Sequence, residues 1–250
     1  MSIDVSYPAE HIAMITINNP KKRNAMTRKM LQDLANLWDS IEVSDCRAVV
    51  ITGAGDKAFS AGADVSGDLS ADESTAAMIN RALLKTDPYP KPIISAVNGT
   101  CAGGGVELML SSDIRFASQE ASFGLPEVKW GIYPFGGATS KLTNQINYVD
   151  AMRLILSAEM VSASEALRVG LINQIIPTEK VKETSIEMAK KIAMNSPVAV
   201  QAVKSHISKG LADAGKARES EEQIHGDQVR LSSDFTEGVA AFREKRLPNY

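Results

Sequence analysis

Short unbroken apolar runs alternate with helically spaced apolar positions along this chain. Ile12 to Ile17 is a β-type run, ended by the turn residues Asn18-Asn19-Pro20. Met30, Leu34, Leu37 and Ile41 then recur at the spacing of one helical face. Ala48 to Thr52 reads as a buried strand closed by Gly53-Ala54-Gly55, followed by a loop of small and acidic residues from Asp56 to about Glu73. Pro92 to Val97 is a second buried strand, stopped by Asn98-Gly99, and Gly103-Gly104-Gly105 opens a short helix through Leu110. Asp113 to Ala117 is a further strand. Strands alternating with helices predict α/β architecture.

The pattern changes after about residue 145. Ser162-Ala163-Ser164-Glu165 has the spacing of a helix capping box, and Gly170 suits the stop. Val200, Val203, Ile207 and Leu211 mark a later amphipathic helix, and 212–234 is polar and charged. The expected organisation is an α/β core over 1–190 and a helical region over 191–250 that packs on the core or on a partner subunit.

Bulk properties remove several functions from consideration. A net charge of −3 provides no basic footprint for nucleic acid. No apolar run approaches the ~20 residues of a membrane span, and the first residues lack the basic-then-apolar order of a secretory signal. Cys46 and Cys101 are far apart, which predicts neither a disulfide framework nor a zinc site. The expected setting is reduced and cytoplasmic.

Three segments carry candidate chemistry. At Gly104 a helix begins on bare backbone, and first-turn amides have no intrahelical partner and sit at the positive end of the helix dipole. Such amides suit an oxygen that becomes negative during reaction, and Glu107 follows one turn on along the same face. A tightly packed helix with a solvated glutamate would produce the same residues. The small-residue run Ala58-Phe59-Ser60-Ala61-Gly62-Ala63-Asp64 offers a second exposed amide at Ala63, or simply a tight loop. Phe123-Gly124-Leu125-Pro126-Glu127 is a good helix start, so Glu127 proves nothing by itself.

Taken in order, these segments resemble the crotonase (enoyl-CoA hydratase/isomerase) superfamily. The similarity begins at Asn19-Pro20 with Asn24-Ala25, and passes through Ala58–Asp64, Asn98–Glu107 and Ser122–Glu127. It continues through Ala166–Ile172 to Glu237-Gly238 and Phe242–Arg246. The resemblance implies a spiral of strand–strand–helix turns with a helical C-terminal region, assembled as trimers or pairs of trimers. It implies an oxyanion hole from the amides of Ala63 and Gly104, an acyl-coenzyme A substrate whose coenzyme A portion runs past Ala61, Asp64 and Val65, and no separate cofactor or metal. Arg243, Lys245 and Arg246 are implied in nucleotide or subunit contacts, which a solvated basic tail would equally resemble.

Both acidic positions used by hydratases of this family hold glutamate here. The resemblance assigns Glu107 to activating water and Glu127 to protonating the α-carbon. Phe135 replaces a glycine typical of hydratases, and Leu125 a common polar residue. A bulky ring and a lost polar group near Glu127 are expected to reshape the acyl pocket or the position of the water.

Other readings compete with hydration. An enoyl-CoA isomerase or a dehydratase of a functionalised acyl-CoA such as carnitinyl-CoA would use the same groups, and a non-catalytic acyl-CoA binder the same fold. Gly53-Ala54-Gly55-Asp56-Lys57-Ala58 formally fits a dinucleotide fingerprint, but no periodic helix follows it. A serine hydrolase lacks its G-x-S-x-G elbow, and His11, His206 and His225 read as surface residues.

Overall fold

The computed structural model describes residues 1–64 and 73–250. In chain order the first half comprises β1 (Ser2–Ala9), β2 (Ile12–Asn18), α1 (Arg28–Glu42), β3 (Ala48–Gly53), β4 (Ala58–Ser60), α2 (Glu73–Ala82), β5 (Ile93–Val97), β6 (Thr100–Ala102), α3 (Gly104–Met109), β7 (Ile114–Ser118) and β8 (Ser122–Gly124). A 3-10 helix, Pro126–Trp130, follows. The second half comprises α4 (Ala138–Lys141), α5 (Tyr148–Ser157), β9 (Val161–Ser162), α6 (Ala163–Arg168), β10 (Gln174–Ile176), α7 (Val181–Ala193), α8 (Pro197–Lys216), α9 (Glu219–Arg230) and α10 (Ser233–Glu244).

Two sheets result, with strand orders β1-β2-β3-β5-β7-β10 and β4-β6-β8-β9. In the larger sheet β1 pairs antiparallel with β2, and the remaining pairs are parallel. In the smaller, β4, β6 and β8 are parallel and β9 runs against β8. Each of the pairs β3–β4, β5–β6 and β7–β8 therefore adds one strand to each sheet, then a helical segment, before the next pair begins. That is a spiral of strand–strand–helix turns, as the family pattern implies.

Side chains that alternate across each strand explain why β3 and β5 are apolar throughout. Val50, Ile94 and Phe116 face α7 with Val181, Ala189 and Ala193. Val49, Ile51 and Val97 face the other way, into a core with Met30, Leu34, Trp38 and Ile41 of α1. The expected loop at 56–73 is corrected in one part: Ala58–Ser60 is strand β4. Three residues are too few to display a period of two, and only pairing with β6 defines them. Because β4 follows the Gly53–Ala58 turn, the dinucleotide fingerprint also lacks its helix.

Half of the expected capping box forms: Ser162 accepts from the amide of Glu165, while the Glu165 carboxylate turns to Arg153 and Arg168, and Gly170, with φ +79°, follows the end of α6. The later amphipathic helix is α8, yet Val203 and Ile207 are 62% and 63% exposed. Among the described residues no helix is long and apolar enough to cross a membrane.

Candidate active site

Each of the three spiral turns releases its site segment just after its short second strand. Ala63 follows β4, Gly104 follows β6 and Glu127 follows β8. Parallel pairing of these strands stacks the three segments, and the amide of Gly103 donates to the carbonyl of Gly124 at 3.0 Å. A side-chain carbon on Gly103 would lie 2.9 Å from Glu127 Oε1, so the third segment abuts the second.

The two amides are free for chemical reasons. Ala63 forms a parallel bridge with Met26 in which Met26 N donates to Gly62 O and Asp64 N donates to Met26 O. Ala63's own N–H therefore points away from Met26. Gly104 is the first residue of α3 and has no intrahelical acceptor. Gly62, at φ +91°, brings the amides together: a Cβ there would stand 2.9 Å from Gly104 N. A Cβ on Gly104 would in turn stand 3.5 Å from Ala63 N. Among the described residues neither amide has an acceptor.

Buried amide side chains hold this loop in place. Asn98 Nδ2 donates to the carbonyls of Gly53, Gly55 and Ala58, and its Oδ1 accepts from Gly53 N. Asn24 Nδ2 donates to Ala54 O and Ala58 O, and Ser60 Oγ donates to Asn24 O. The chain is thus clamped from the end of β3 to the approach to Ala63.

Glu107 is buried on α3, and its Oε1 accepts from Ala138 N at 3.2 Å. Gly136 is required beside it, since a Cβ there would fall 2.2 Å from Glu107 Oε2. Burial raises the Glu107 pKa above the carboxylate range, opposed by the amides of Ala138 and Gly136 and by Lys85, and reinforced by Glu222. Glu127 is half-buried as a residue, but its Oε2 is sealed and has no hydrogen-bond partner among the described residues. Burial, then the nearby Glu107, push its pKa upward. Two such carboxyls cannot both ionise cheaply, so the pair keeps a proton where ordinary carboxylates have none.

The other expected site residues are placed as follows. Ala61 N donates to Arg23 O, and Asp64 is paired with Lys22 at 2.8 Å. Val65 lies outside the described residues. The Phe135 ring turns to α9: a Cβ on Gly226 would meet it at 1.9 Å, Arg230 lies over it at 5.0 Å and Tyr133 lies beside it. Leu125 is core. Arg246 is paired with Glu237 and Glu244 within its own chain. Neither His206 nor His225 is buried, and His11 lies in the β1–β2 turn beside Asp45.

Neither the clamp by Asn98 nor the contacts that link Lys85, Glu222 and Thr139 are legible in the sequence. Asn98-Gly99 reads there as a strand stop, and a lysine, a threonine and a glutamate on separate elements carry no periodic signal.

Paired free amides, delivered by a spiral beside two carboxyls whose pKa values are raised, form a site suited to holding an oxyanion while a proton moves. The chain belongs to the enoyl-CoA hydratase/isomerase family, whose model matches residues 8–250. It is 37% identical to the enoyl-CoA hydratase EchA19 of Mycobacterium tuberculosis, over 96% of this chain and 93% of that one. It is 38% identical to the short-chain-enoyl-CoA hydratase of Clostridium acetobutylicum, over 94% and 92%. Its structure matches carnitinyl-CoA hydratase from Mycobacterium avium with a TM-score of 0.91 at 35% identity, covering 99% of this chain and 97% of that one.

Proposed function

We propose that this protein adds water across the α,β double bond of an enoyl-CoA thioester. The observation that carries the reading is the meeting of two free amides with the buried Glu107 carboxyl and the sealed Oε2 of Glu127. The thioester oxygen lies between the N–H groups of Ala63 and Gly104, which draws electron density from the β-carbon. Glu107, as carboxylate, takes a proton from water as its oxygen bonds to that carbon. The enolate charge rests on the oxygen held by the two amides. Glu127, as carboxylic acid, then gives its proton to the α-carbon. Glu107 ends protonated and Glu127 ionised, and one proton returning from the first to the second restores the pair.

Coenzyme A runs past Ala61, Asp64 and Val65 in this reading, and no further cofactor is needed. Assembly into trimers or pairs of trimers is supported by the exposed apolar residues Val203 and Ile207 on α8 and Tyr148 and Val149 on α5. The names of the relatives support hydration over the reverse preference for isomerisation.

Crotonyl-CoA incubated with the purified protein should lose its conjugated thioester absorbance. Binding without loss would exclude hydration of this acyl group, and loss of conjugation without incorporation of water into the product would indicate isomerisation. The pH dependence has a definite sign. The acid must be protonated and the base ionised, and both pKa values are raised, so kcat should fall above neutrality as Glu127 loses its proton and fall below it as Glu107 gains one. Limbs that lie instead in the ordinary carboxylate range near pH ~4–5 would contradict the assignment.

A further inference from the structure

A sealed charge pair reaches Glu107 through the strap 136–139. Ala138 N holds Glu107 Oε1. The next residue, Thr139, donates from Oγ1 to Glu222 Oε1 on α9 at 3.1 Å, and Glu222 Oε2 lies 3.0 Å from Lys85 Nζ. The side chains of Lys85 and Glu222 are only 6% and 7% exposed. Lys85 lies along the strap as well, since a Cβ on Gly137 would be 3.3 Å from its Cγ. Asn80 of α2 donates to Glu219 at 2.9 Å, a further tie from this part of the chain to α9.

Stability is a poor reason for such a pair, because desolvation consumes most of the Coulombic gain and apolar residues would pack as well. Position is a better one. Among the described residues, charged groups act on Glu107 from four sides: Glu127 from the 3-10 helix, Lys85 after α2, Lys141 from α4 and Glu222 from α9. Arg115 acts on Lys141, and Tyr133 lies near Glu222 and Thr139. Lys85 and Glu222 oppose each other in their effect on Glu107.

We propose that Lys85 and Glu222 form a positioning pair for Glu107, fixing its strap through Thr139 with charges of opposite sign on either side of one contact. The inference rests on Glu107 acting as the base. Glu222→Gln leaves the lysine charge uncompensated, which favours the Glu107 carboxylate. Lys85→Gln leaves the glutamate charge uncompensated, which disfavours it.

The test is the pH profile of kcat/KM for crotonyl-CoA hydration by the full chain. The acid limb should move to lower pH in Glu222→Gln and to higher pH in Lys85→Gln, each on the order of half a pH unit. The double variant should return toward the original limb. Uniform loss of rate with all limbs in place would reduce the pair to a packing feature and overturn the proposal. Thr139→Val and Thr139→Ser introduce no unpaired charge and serve even where a charge variant fails to fold. Thr139→Val should lower kcat by up to about tenfold, the loss of one hydrogen bond that supports the strap, and Thr139→Ser should keep the normal rate; equal rates in the two would overturn the proposal. Glu107→Gln separates the two levels. If it is inactive and the limbs do not diverge, only this inference fails; if it retains full turnover, the reading of Glu107 falls and takes the inference with it.

Discussion

Glu127→Gln is expected to lower kcat by roughly 10²–10⁴, the usual contribution of a positioned general acid or base, with KM nearly unchanged. An amide fits the space of the carboxyl but has no acidic proton to deliver to the α-carbon. The sealed Oε2 of Glu127, without a partner among the described residues, makes solvent a poor substitute donor. Glu107→Gln should cost a similar factor for the opposite reason, the loss of a base. It also carries a second signature. Glu107 raises the pKa of Glu127, so its neutralisation lets Glu127 ionise more easily. The alkaline limb of the residual activity should therefore move to lower pH. Steady-state rates with crotonyl-CoA, alongside circular dichroism to confirm the fold, decide the matter. A Glu127→Gln enzyme with more than a tenth of normal kcat would remove Glu127 from the chemistry.

Asn98→Ala is expected to produce the largest loss of stability, about 3 kcal/mol, because buried polar groups are left without partners rather than exchanged for apolar ones. One side chain satisfies three carbonyls, of Gly53, Gly55 and Ala58, and one amide, of Gly53. Asn24 shares only Ala58 O with it, and cannot turn to the others while it holds Ala54 O. For a chain of this size the loss corresponds to a fall in Tm of about 10 °C. Thermal unfolding measures the first effect. Activity at a temperature where the variant remains folded measures the second, since the clamped turn leads through β4 to Ala63 and its amide. A Tm within about 2 °C of the unmodified protein would mean that other groups satisfy the turn, at ~2–4 °C per kcal/mol.

The distribution of these effects follows what could be read along the chain. Hydrophobic pattern alone locates β2, α1, β3, β5 and β7, because burial on one or both faces writes a period, or its absence, into local sequence. The Ser162 cap and the glycines before Glu107 are equally local, since they answer backbone requirements within one turn of a helix. The order of weak motifs identifies the family and with it the spiral. Nothing local reveals β4, β6 and β8, which are three residues each and exist through pairing with one another. The apolar positions of α8 are legible as a helix, but their exposure is not, because a period says which residues share a face and never what that face meets.

By itself, then, the sequence determined β2, α1, β3, β5, β7 and the apolar face of α8, the family, and the residue types available for chemistry. Tertiary structure alone decided that Ala63, Gly104, Glu107 and Glu127 meet, that Asn98 clamps the turn before β4, and that Lys85 and Glu222 share a sealed contact near Glu107. The physical reason is that local pattern records how one residue's burial depends on its near neighbours. Raised pKa values, free amides and charge pairs arise from groups distant in sequence, and they come into being only when the spiral stacks its turns.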